Sequence, residues 1–407
     1  MNILIVTQYF WPESFRINDL ALGLRDRGHS VTVYTGKPNY PEGNYFPGYG
    51  LFGRARDNFQ GIPVVRVPLI ARGKGGKLRL ALNYLSFAFC ASLLAFRCRG
   101  RFDAILVYEP SPATVGLPAL VLKTLKRAPI LFWVQDLWPE SLSATGAIHS
   151  KWVLGAVESM VRLIYRHCDR ILIQSRAFAP SIEALGADPA CIRYFPNSAE
   201  SLYQPSSREG DTAPDQVLPA GFRIMFAGNI GAAQDFETIL AAAALLKEQT
   251  TIQWLVLGDG RLRDWVAAQI EARGLQTTFH LLGRHPPEMM PGFFAQADAM
   301  LVTLKKEPIF ALTIPAKVQS YLACAKPILA ALDGEGARVV TESGAGIAIP
   351  AENPAALADA VIALTRLDTK DRLAMGSRGR EYFEKHFERE LLLSRLANWM
   401  NELKSAA

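Results

Sequence analysis

The chain opens on an unbroken apolar run of strand length, Asn2–Thr7, and then repeats apolar positions at helical spacing over Arg16–Arg27. Arg27-Gly28-His29 closes that helix ahead of a second predicted strand, Ser30–Thr35. Further strands fall at Val64–Val67, Asp103–Tyr108, Ile130–Val134 and Arg170–Gln174. Strands that are apolar throughout belong in parallel sheets covered by helices on both faces. After FPNSAESLYQP the periodicity stops in SSREGDTAPDQVLPAG, whose Ser, Asp, Pro and Gly read as a linker. The alternation then restarts, with strands at Phe222–Ala227, Ile252–Leu257, Thr278–Leu281, Ala299–Leu304 and Pro327–Ala331. Between and after them, helices are predicted at Asp235–Glu248, Leu262–Arg273, Glu288–Gln296, Pro315–Ala325 and Pro354–Leu367, and a last helical run covers Asp371–Leu403. The pattern predicts an α/β protein of two facing doubly wound domains: 1–200, a linker at 201–221, and 222–385. A C-terminal helix at 386–407 has the first domain as a candidate packing surface. Two such sheets leave a cleft at the carboxyl ends of their strands, where open α/β sheets bind ligands.

One helical segment departs from this pattern. Leu78–Phe96, LRLALNYLSFAFCASLLAF, carries a narrow polar stripe (Arg79, Asn83, Ser86, Cys90) and a wide apolar arc. It is flanked by Arg72, Lys74 and Lys77 before and Arg97, Arg99 and Arg101 after. Two readings stand: a core helix covering a sheet, or a helix lying in an anionic membrane surface with its cations on the headgroups, over residues 72–101. A membrane span is disfavoured, because Arg79 and Asn83 interrupt it and the strand RFDAILVY follows at once.

Composition narrows the class. Half of the 407 residues are apolar and a fifth charged, as in soluble globular proteins. The net charge of +6 suits an acidic partner without choosing among nucleotide, lipid surface and nucleic acid. Nucleic acid is disfavoured, because the positive charge gathers around an apolar helix and no aromatic platform interleaves it. The five cysteines are scattered and form no CxxC, and the six histidines (His29, His149, His167, His280, His285, His386) show no ligand spacing, so neither a disulfide framework nor a metal site is expected. MNILIVTQYFWPE enters a strand directly with no export signal, and a cytoplasmic location is expected.

No GxGxxG follows the first strand and no Walker A lysine is present. The second half instead has small-residue turns at strand ends, AGNIGAAQD (227–235) and LGDGRL (257–262). Gly228, Gly231 and Gly258 would let backbone N–H groups approach a ligand, and the helix starting near Asp235 would aim its positive end there. Thr313-Ile314-Pro315-Ala316-Lys317 makes a third such turn, with Pro315 suited to the first turn of a helix. A lysine at that end opposes the helix dipole, and an anionic ligand would resolve the conflict. The plain alternative is a surface lysine whose stem lies over the apolar face.

Taken together, YFWPESFRINDLALGLRDRGHSVTVYTGKPNYPEG, VQDLWPES, FPN, FAGNIGAAQ, LVLGDGRL, LLGRHPPEMMPGFFAQADAMLVTL and TIPAKVQSYLACAKPILA resemble a family-4 retaining glycosyltransferase. The likeness runs the length of the chain and is nearest to enzymes adding fucose or N-acetyl-L-fucosamine-type sugars to bacterial O-antigen, capsule or colanic-acid units. It implies the GT-B architecture of two facing Rossmann-like domains, a nucleoside-diphosphate sugar held by the second domain, and an acceptor held by the first. It implies no cofactor or metal and a front-face mechanism without an obligatory protein nucleophile.

This chain departs from the family at the donor site. Asn229 and Gln234 stand where an arginine and a lysine usually grip the donor phosphates. That leaves Lys317, Arg261 and Arg284 as candidate cations, with Thr313 and Pro315 beside the first of them. The family's pair of glutamates is altered too. Counted back from ACAKP its members fall on Ser320 and Leu312; counted forward from Ala297-Asp298 the first falls on Glu307.

In the first domain, Glu13 and Asn18 are candidate acceptor ligands, although Glu13 could equally cap the helix from Arg16. Lys37, Asn39 and Tyr40 could meet an acceptor pyrophosphate or simply structure a loop. Asp136 follows an extended run, and either orients an acceptor hydroxyl or caps a loop. The reading is a metal-independent glycosyltransferase at the cytoplasmic face of the inner membrane, moving a deoxy- or N-acetylamino sugar to a polyprenyl-diphosphate-linked acceptor. A UDP-sugar epimerase of the same shape and a non-catalytic membrane-associated subunit are the alternatives. Oligomeric state is not legible.

Overall fold

The computed structural model describes all residues except 74–75, 145–147, 149, 207–216 and 407. Lys74, His149 and much of the predicted linker therefore lie outside the described residues. The chain folds into two compact units, Met1–Pro196 together with Leu392–Ala407, and Asn197–Leu391.

In the first unit the strands are β1 (Asn2–Thr7), β2 (Ser30–Gly36), β3 (Arg56–Phe59), β4 (Ile62–Val67), β5 (Ala104–Glu109), β6 (Ile130–Val134), β7 (Arg170–Ile173) and β8 (Ile192–Tyr194). They form one sheet in the order β3-β4-β2-β1-β5-β6-β7-β8, parallel except for the hairpin between β3 and β4. β3, RDNF, escaped the sequence reading because this edge strand is paired on one side only and shows little apolar character. From β1 the chain winds outward one way through β2 and, from β5, the other way through β8. The order reverses between β1 and β5, and the crevice at their carboxyl ends is the expected ligand position.

The helices of this unit are α1 (Arg16–Asp26), α2 (Lys77–Leu93), α3 (Gly116–Lys126), α4 (Glu140–Ala144), α5 (Lys151–Arg166) and α6 (Ala179–Ala184). Because strand side chains alternate, Ile3 and Ile5 of β1 face one side, where they join Ile17, Leu20 and Leu24 of α1 in one core. Leu392, Leu396 and Met400 complete that core from the C-terminal helix. Arg27 donates to Ser394 Oγ at 2.9 Å, and Lys404 pairs with Asp103 at 3.1 Å, at the same seam. On the other side of the sheet, Tyr34 donates to the Ala91 carbonyl of α2 at 2.7 Å.

α2 covers the sheet, but with its polar stripe turned inward. Asn83 is fully buried, accepting from Gln8 Nε2 at 2.7 Å and donating to the Ile70 carbonyl at 2.6 Å, and Ser86 Oγ accepts from Ile70 N at 2.9 Å. Phe87, Ala88 and Ala91 pack beside them, while Leu78, Leu82, Leu85, Phe89 and Leu93 are exposed. The buried face is thus mixed: Asn83 and Ser86 pair the Ile70 carbonyl and N–H of the loop before the helix, and Arg79 of the same stripe stays exposed.

The second unit is a six-stranded parallel sheet of β9 (Phe222–Ala227), β10 (Ile252–Leu257), β11 (Phe279–Gly283), β12 (Ala299–Thr303), β13 (Ile328–Ala331) and β14 (Gly346–Ile349). The order β11-β10-β9-β12-β13-β14 reverses between β9 and β12. Its helices are α7 (Phe236–Leu245), α8 (Arg263–Ala272), α9 (Met290–Gln296), α10 (Pro308–Ala311), α11 (Ala316–Ala323), α12 (Glu335–Glu342), α13 (Pro354–Arg366) and α14 (Thr369–His386). The last helix, α15 (Arg389–Ala406), is the one that joins the first unit. The single helical run predicted from Asp371 is thus two helices, broken at Phe387-Glu388. β14 and α12, elements of four and eight residues, were not foreseen.

Candidate active site

At the β9 end of the second sheet, Gly228 has φ +139° and a Cβ there would lie 2.7 Å from Lys317 Cε. Gly258, at the end of β10, has φ +140°, and a Cβ on it would lie 1.9 Å from the Gly228 carbonyl oxygen. Only glycine fits either position, because the two strand ends lie against each other: Gly228 N donates to Leu257 O at 2.8 Å and Ile230 N to Asp259 O at 2.8 Å. The glycines pave one wall of a cavity of about 710 Å³ that Asn229, Arg261, Arg284 and His285 also line. Gly231 sits just behind, where a Cβ would meet the Asn229 amide at 2.4 Å.

Lys317 stands at the start of α11, beside this rim. Its ammonium donates to Gln234 Oε1 at 2.7 Å and lies 3.6 Å from the centre of the Phe226 ring. No carboxylate pairs with it among the described residues, and burial pushes its pKa down to about 7. The cation is held by an amide and a ring face, neither of which neutralises it. Gln234, which stands where the family resemblance expects a lysine, holds the Lys317 ammonium by its side-chain oxygen.

The neighbouring candidates divide. Pro315 is the N-cap residue of α11 and not its first helical residue, a correction of one position. Thr313 gives its hydroxyl to the Phe310 carbonyl at 3.1 Å. Glu307 is exposed at the N-cap of α10, and Ser320, the other position reached by counting, is buried with its hydroxyl on the Ala316 carbonyl at 3.3 Å. The helix predicted from Asp235 begins at Phe236, with Asp235 itself buried at the N-cap in a left-handed conformation.

In the first unit, the crevice between the ends of β1 and β5 holds a second polar cluster. Asp136 follows β6 with Ser111, Trp138, Ser141 and the Leu137 N–H beside it; burial raises its pKa, and these polar neighbours oppose the rise. Asp136 N donates to Oε2 of Glu109 at 3.5 Å. Glu109 is fully buried at the end of β5, its Oε1 has no hydrogen-bond partner among the described residues, and burial with the charge of Asp136 keeps its carboxyl protonated well above the usual range. Tyr84 of α2 hydrogen-bonds Tyr9 and Ser111, and its ring meets Trp138 edge-on at 6.2 Å.

Four of the five residues proposed for the acceptor are consumed by the fold. Glu13 accepts N–H bonds from Phe10, Asn39 and Tyr40 at 3.2, 2.7 and 2.8 Å, stitching the loops after β1 and β2 together, and burial raises its pKa to about 7. It does not cap α1, whose N-cap is Phe15. Asn18 bonds Trp11 N and Glu13 O, and Asn39 bonds Lys37 O and Arg72 N. Lys37 is buried on the Gly53 and Arg54 carbonyls, its pKa pushed down to about 8. Tyr40 alone stays at the surface, under the Arg72 guanidinium at 5.0 Å. Glu109, Tyr84, Ser111 and Phe226 were not singled out from sequence. Glu109 had a signal, as an acid placed directly after an apolar strand.

Residues 14–198 match the family described as Glycosyl transferase 4-like domain, and residues 221–366 match Glycosyl transferases group 1. Together the two cover most of the chain. The protein is a GT-B glycosyltransferase. This glycosyltransferase is 27% identical to the probable glycosyltransferase WbjE of Pseudomonas aeruginosa, over 83% of this chain and 82% of that one. It is 23% identical to the putative colanic acid biosynthesis glycosyl transferase WcaI of Escherichia coli K12, over 98% and 99%. Among solved structures, Anabaena HepE in complex with UDP superposes with a TM-score of 0.70 at 16% identity, over 99% of this chain and 100% of HepE. Among the described residues, the glycosyltransferase has no helix long and apolar enough to cross a membrane, and no group of His, Cys, Asp and Glu that could hold a metal ion.

Proposed function

We propose that this glycosyltransferase moves a deoxy- or N-acetylamino sugar, such as N-acetyl-L-fucosamine, from UDP to a polyprenyl-diphosphate-linked acceptor in bacterial surface-polysaccharide synthesis, with retention and without a metal. The observation that carries the donor half is the part-buried ammonium of Lys317, which pairs with no carboxylate among the described residues, beside glycine-paved strand ends. A diphosphate brings the charge that this cation lacks, and Arg261 and Arg284 line the adjoining cavity. UDP as the nucleotide is supported by its presence in the HepE complex, and the polysaccharide setting by the name of WcaI. Asp136 is assigned to the acceptor hydroxyl. The exposed apolar face of α2, with exposed Arg97, Arg99 and Arg101 after it, is assigned to the cytoplasmic surface of the inner membrane.

The test is a thermal-shift panel of UDP-, GDP- and dTDP-sugars, followed by transfer from the best binder to a sugar-bearing polyprenyl diphosphate. UDP-sugars are expected to stabilise the protein and to glycosylate the lipid. If no nucleotide shifts the melt, the reading falls.

A further inference from the structure

α2 and α5 line an apolar cavity of about 520 Å³ in the first unit. Its walls include Leu78 and Leu85 of α2 and Val153 and Met160 of α5, and Lys77 alone among its lining residues carries charge. The volume falls in the range of small-molecule pockets, roughly 300–1,000 Å³. Several wall residues, Leu78, Leu85 and Val153, are more than a third exposed, so the groove opens outward.

The groove adjoins groups of different chemistry. Its lining includes Tyr84 and Trp138, whose polar atoms belong to the Asp136 cluster: the Trp138 indole donates to Ser111 Oγ at 3.2 Å. A second recess of about 640 Å³ shares Lys77 and Leu80 with the groove and is lined by Arg72, Tyr40 and the exposed Glu42. Arg72 lies 6.0 Å from the Tyr9 ring, and Tyr9 is hydrogen-bonded to Tyr84. An apolar trough, a pair of cations and a carboxylate cluster thus adjoin one another within one unit.

We propose that the groove between α2 and α5 holds the isoprenoid chain of the acceptor, with its diphosphate against Arg72 and Lys77 and its sugar toward Asp136. The inference rests on the lipid-linked acceptor proposed above. The occupant is an amphiphile because the adjoining linings match the kinds of part it carries: an apolar wall for the chain, Arg72 and Lys77 for a dianionic linker, and a polar cluster for a hydroxyl-bearing sugar. A bilayer surface would need only the outward side chains of α2 and would leave the cations of the recess and the Tyr84–Trp138 end without a role.

Two measurements test it. Photolysis of a benzophenone-tagged farnesyl diphosphate on the full chain is expected to label peptides from 77–93 and 151–166, and labelling scattered over the surface would overturn the proposal. This readout needs no transfer, so it stands apart from the proposed reaction. In transfer assays, lengthening a short-chain prenyl acceptor should raise kcat/KM about fourfold per methylene buried. Leu85→Glu and, separately, Met160→Glu should lower kcat/KM for the prenyl acceptor at least tenfold with UDP affinity and melting temperature retained. If these variants lose only liposome binding, or only a dimer or protein partner, while labelling and prenyl kinetics hold, the groove is a membrane or protein contact and the proposal is wrong. If wild-type enzyme transfers to no prenyl acceptor but is still labelled in the groove, the proposed acceptor reaction fails and the lipid site stands.

Discussion

The ammonium of Lys317 sits 3.6 Å from the centre of the Phe226 ring, on the last turn of strand before Gly228. A ring face attracts a cation but leaves its charge in place, and the Gln234 amide does the same. An anionic ligand, as proposed for the donor diphosphate, would supply the charge that these contacts leave unbalanced. Lys317→Met should raise the dissociation constant for UDP about 10- to 100-fold, the worth of one or two hydrogen bonds to a charged group. Calorimetry on folded variant and wild type checks this, and an unchanged affinity would remove Lys317 from the phosphates.

The same burial makes a pH prediction with a definite sign. The folded pKa of Lys317 is about 7, below its ordinary unfolded value, so between the two the unfolded chain binds the extra proton. This group's contribution to free-protein stability therefore rises as pH rises from about 7 toward about 10. Below that window both states are protonated and the full cost of the buried charge is present. A bound diphosphate favours the ammonium, so UDP binding at pH 8 should take up protons. Titration in buffers of different ionisation enthalpy reads the number, and Lys317→Met should reduce it.

Gly258 and Gly283 separate crowding from strain. A Cβ at Gly258 would lie 1.9 Å from a backbone oxygen, whereas at Gly283, φ +78°, nothing lies within 4 Å. Gly283→Ala should cost about 1–2 kcal/mol, the penalty of a left-handed conformation alone. Gly258→Ala should cost clearly more and displace Gly228, weakening UDP binding as well. Urea melts of the two variants, compared with wild type, decide it. Equal costs would mean that the strand ends separate easily.

These residues show what a sequence displays and what it hides. Gly228, Gly258 and Lys317 were legible because each follows directly on a strand or helix signal, and their chemistry is local to the turn. The fold class was legible for the same reason, since continuous apolar strands allow few other arrangements. Glu13, Lys37 and Asn39 bond the backbone of neighbouring loops, a role their sequence positions do not display. A polar residue in a strand-end loop looks the same whether it faces solvent or ties two loops together. The tie depends on β1 lying beside β2, which brings Glu13 to the backbone of Asn39. The stripe and arc of α2 are legible, but which side chains face the protein depends on the Ile70 backbone that Asn83 and Ser86 pair, a loop feature with no periodicity.

Glu109 and Asp136 should respond differently to neutral substitution. Glu109 has its pKa raised by burial, so between the unfolded and folded values the native state binds the extra proton and its contribution to stability falls as pH rises. Glu109→Gln removes that slope. It should match wild type near pH 4 and gain on it by up to about 1.4 kcal/mol per pH unit above that. Asp136→Asn should instead lower kcat for transfer while UDP affinity holds, because its assigned role is toward the acceptor hydroxyl. Denaturant melts across pH and steady-state kinetics check the two separately.

The exposed face of α2 carries the last prediction. Phe89 is 68% exposed, Leu93 63% and Phe96 66%, on the helix and the turn that follows it, and Arg97, Arg99 and Arg101 come next in the chain. Single exposed apolar residues are ordinary, but a row of them on one helix face is not. Aligned with cations at its end, such a face suits an anionic lipid surface, where apolar insertion and charge attraction add. Phe89→Glu with Leu93→Glu should abolish flotation with anionic liposomes, because each replacement removes inserted area and adds repulsion. Neutral liposomes should bind wild type more weakly, and added salt should narrow that difference. UDP affinity should not move, since these side chains belong to the first unit and the nucleotide site to the second. Unchanged flotation of the double variant would take α2 out of membrane contact, leaving its inverted face to be explained by the groove it shares with α5.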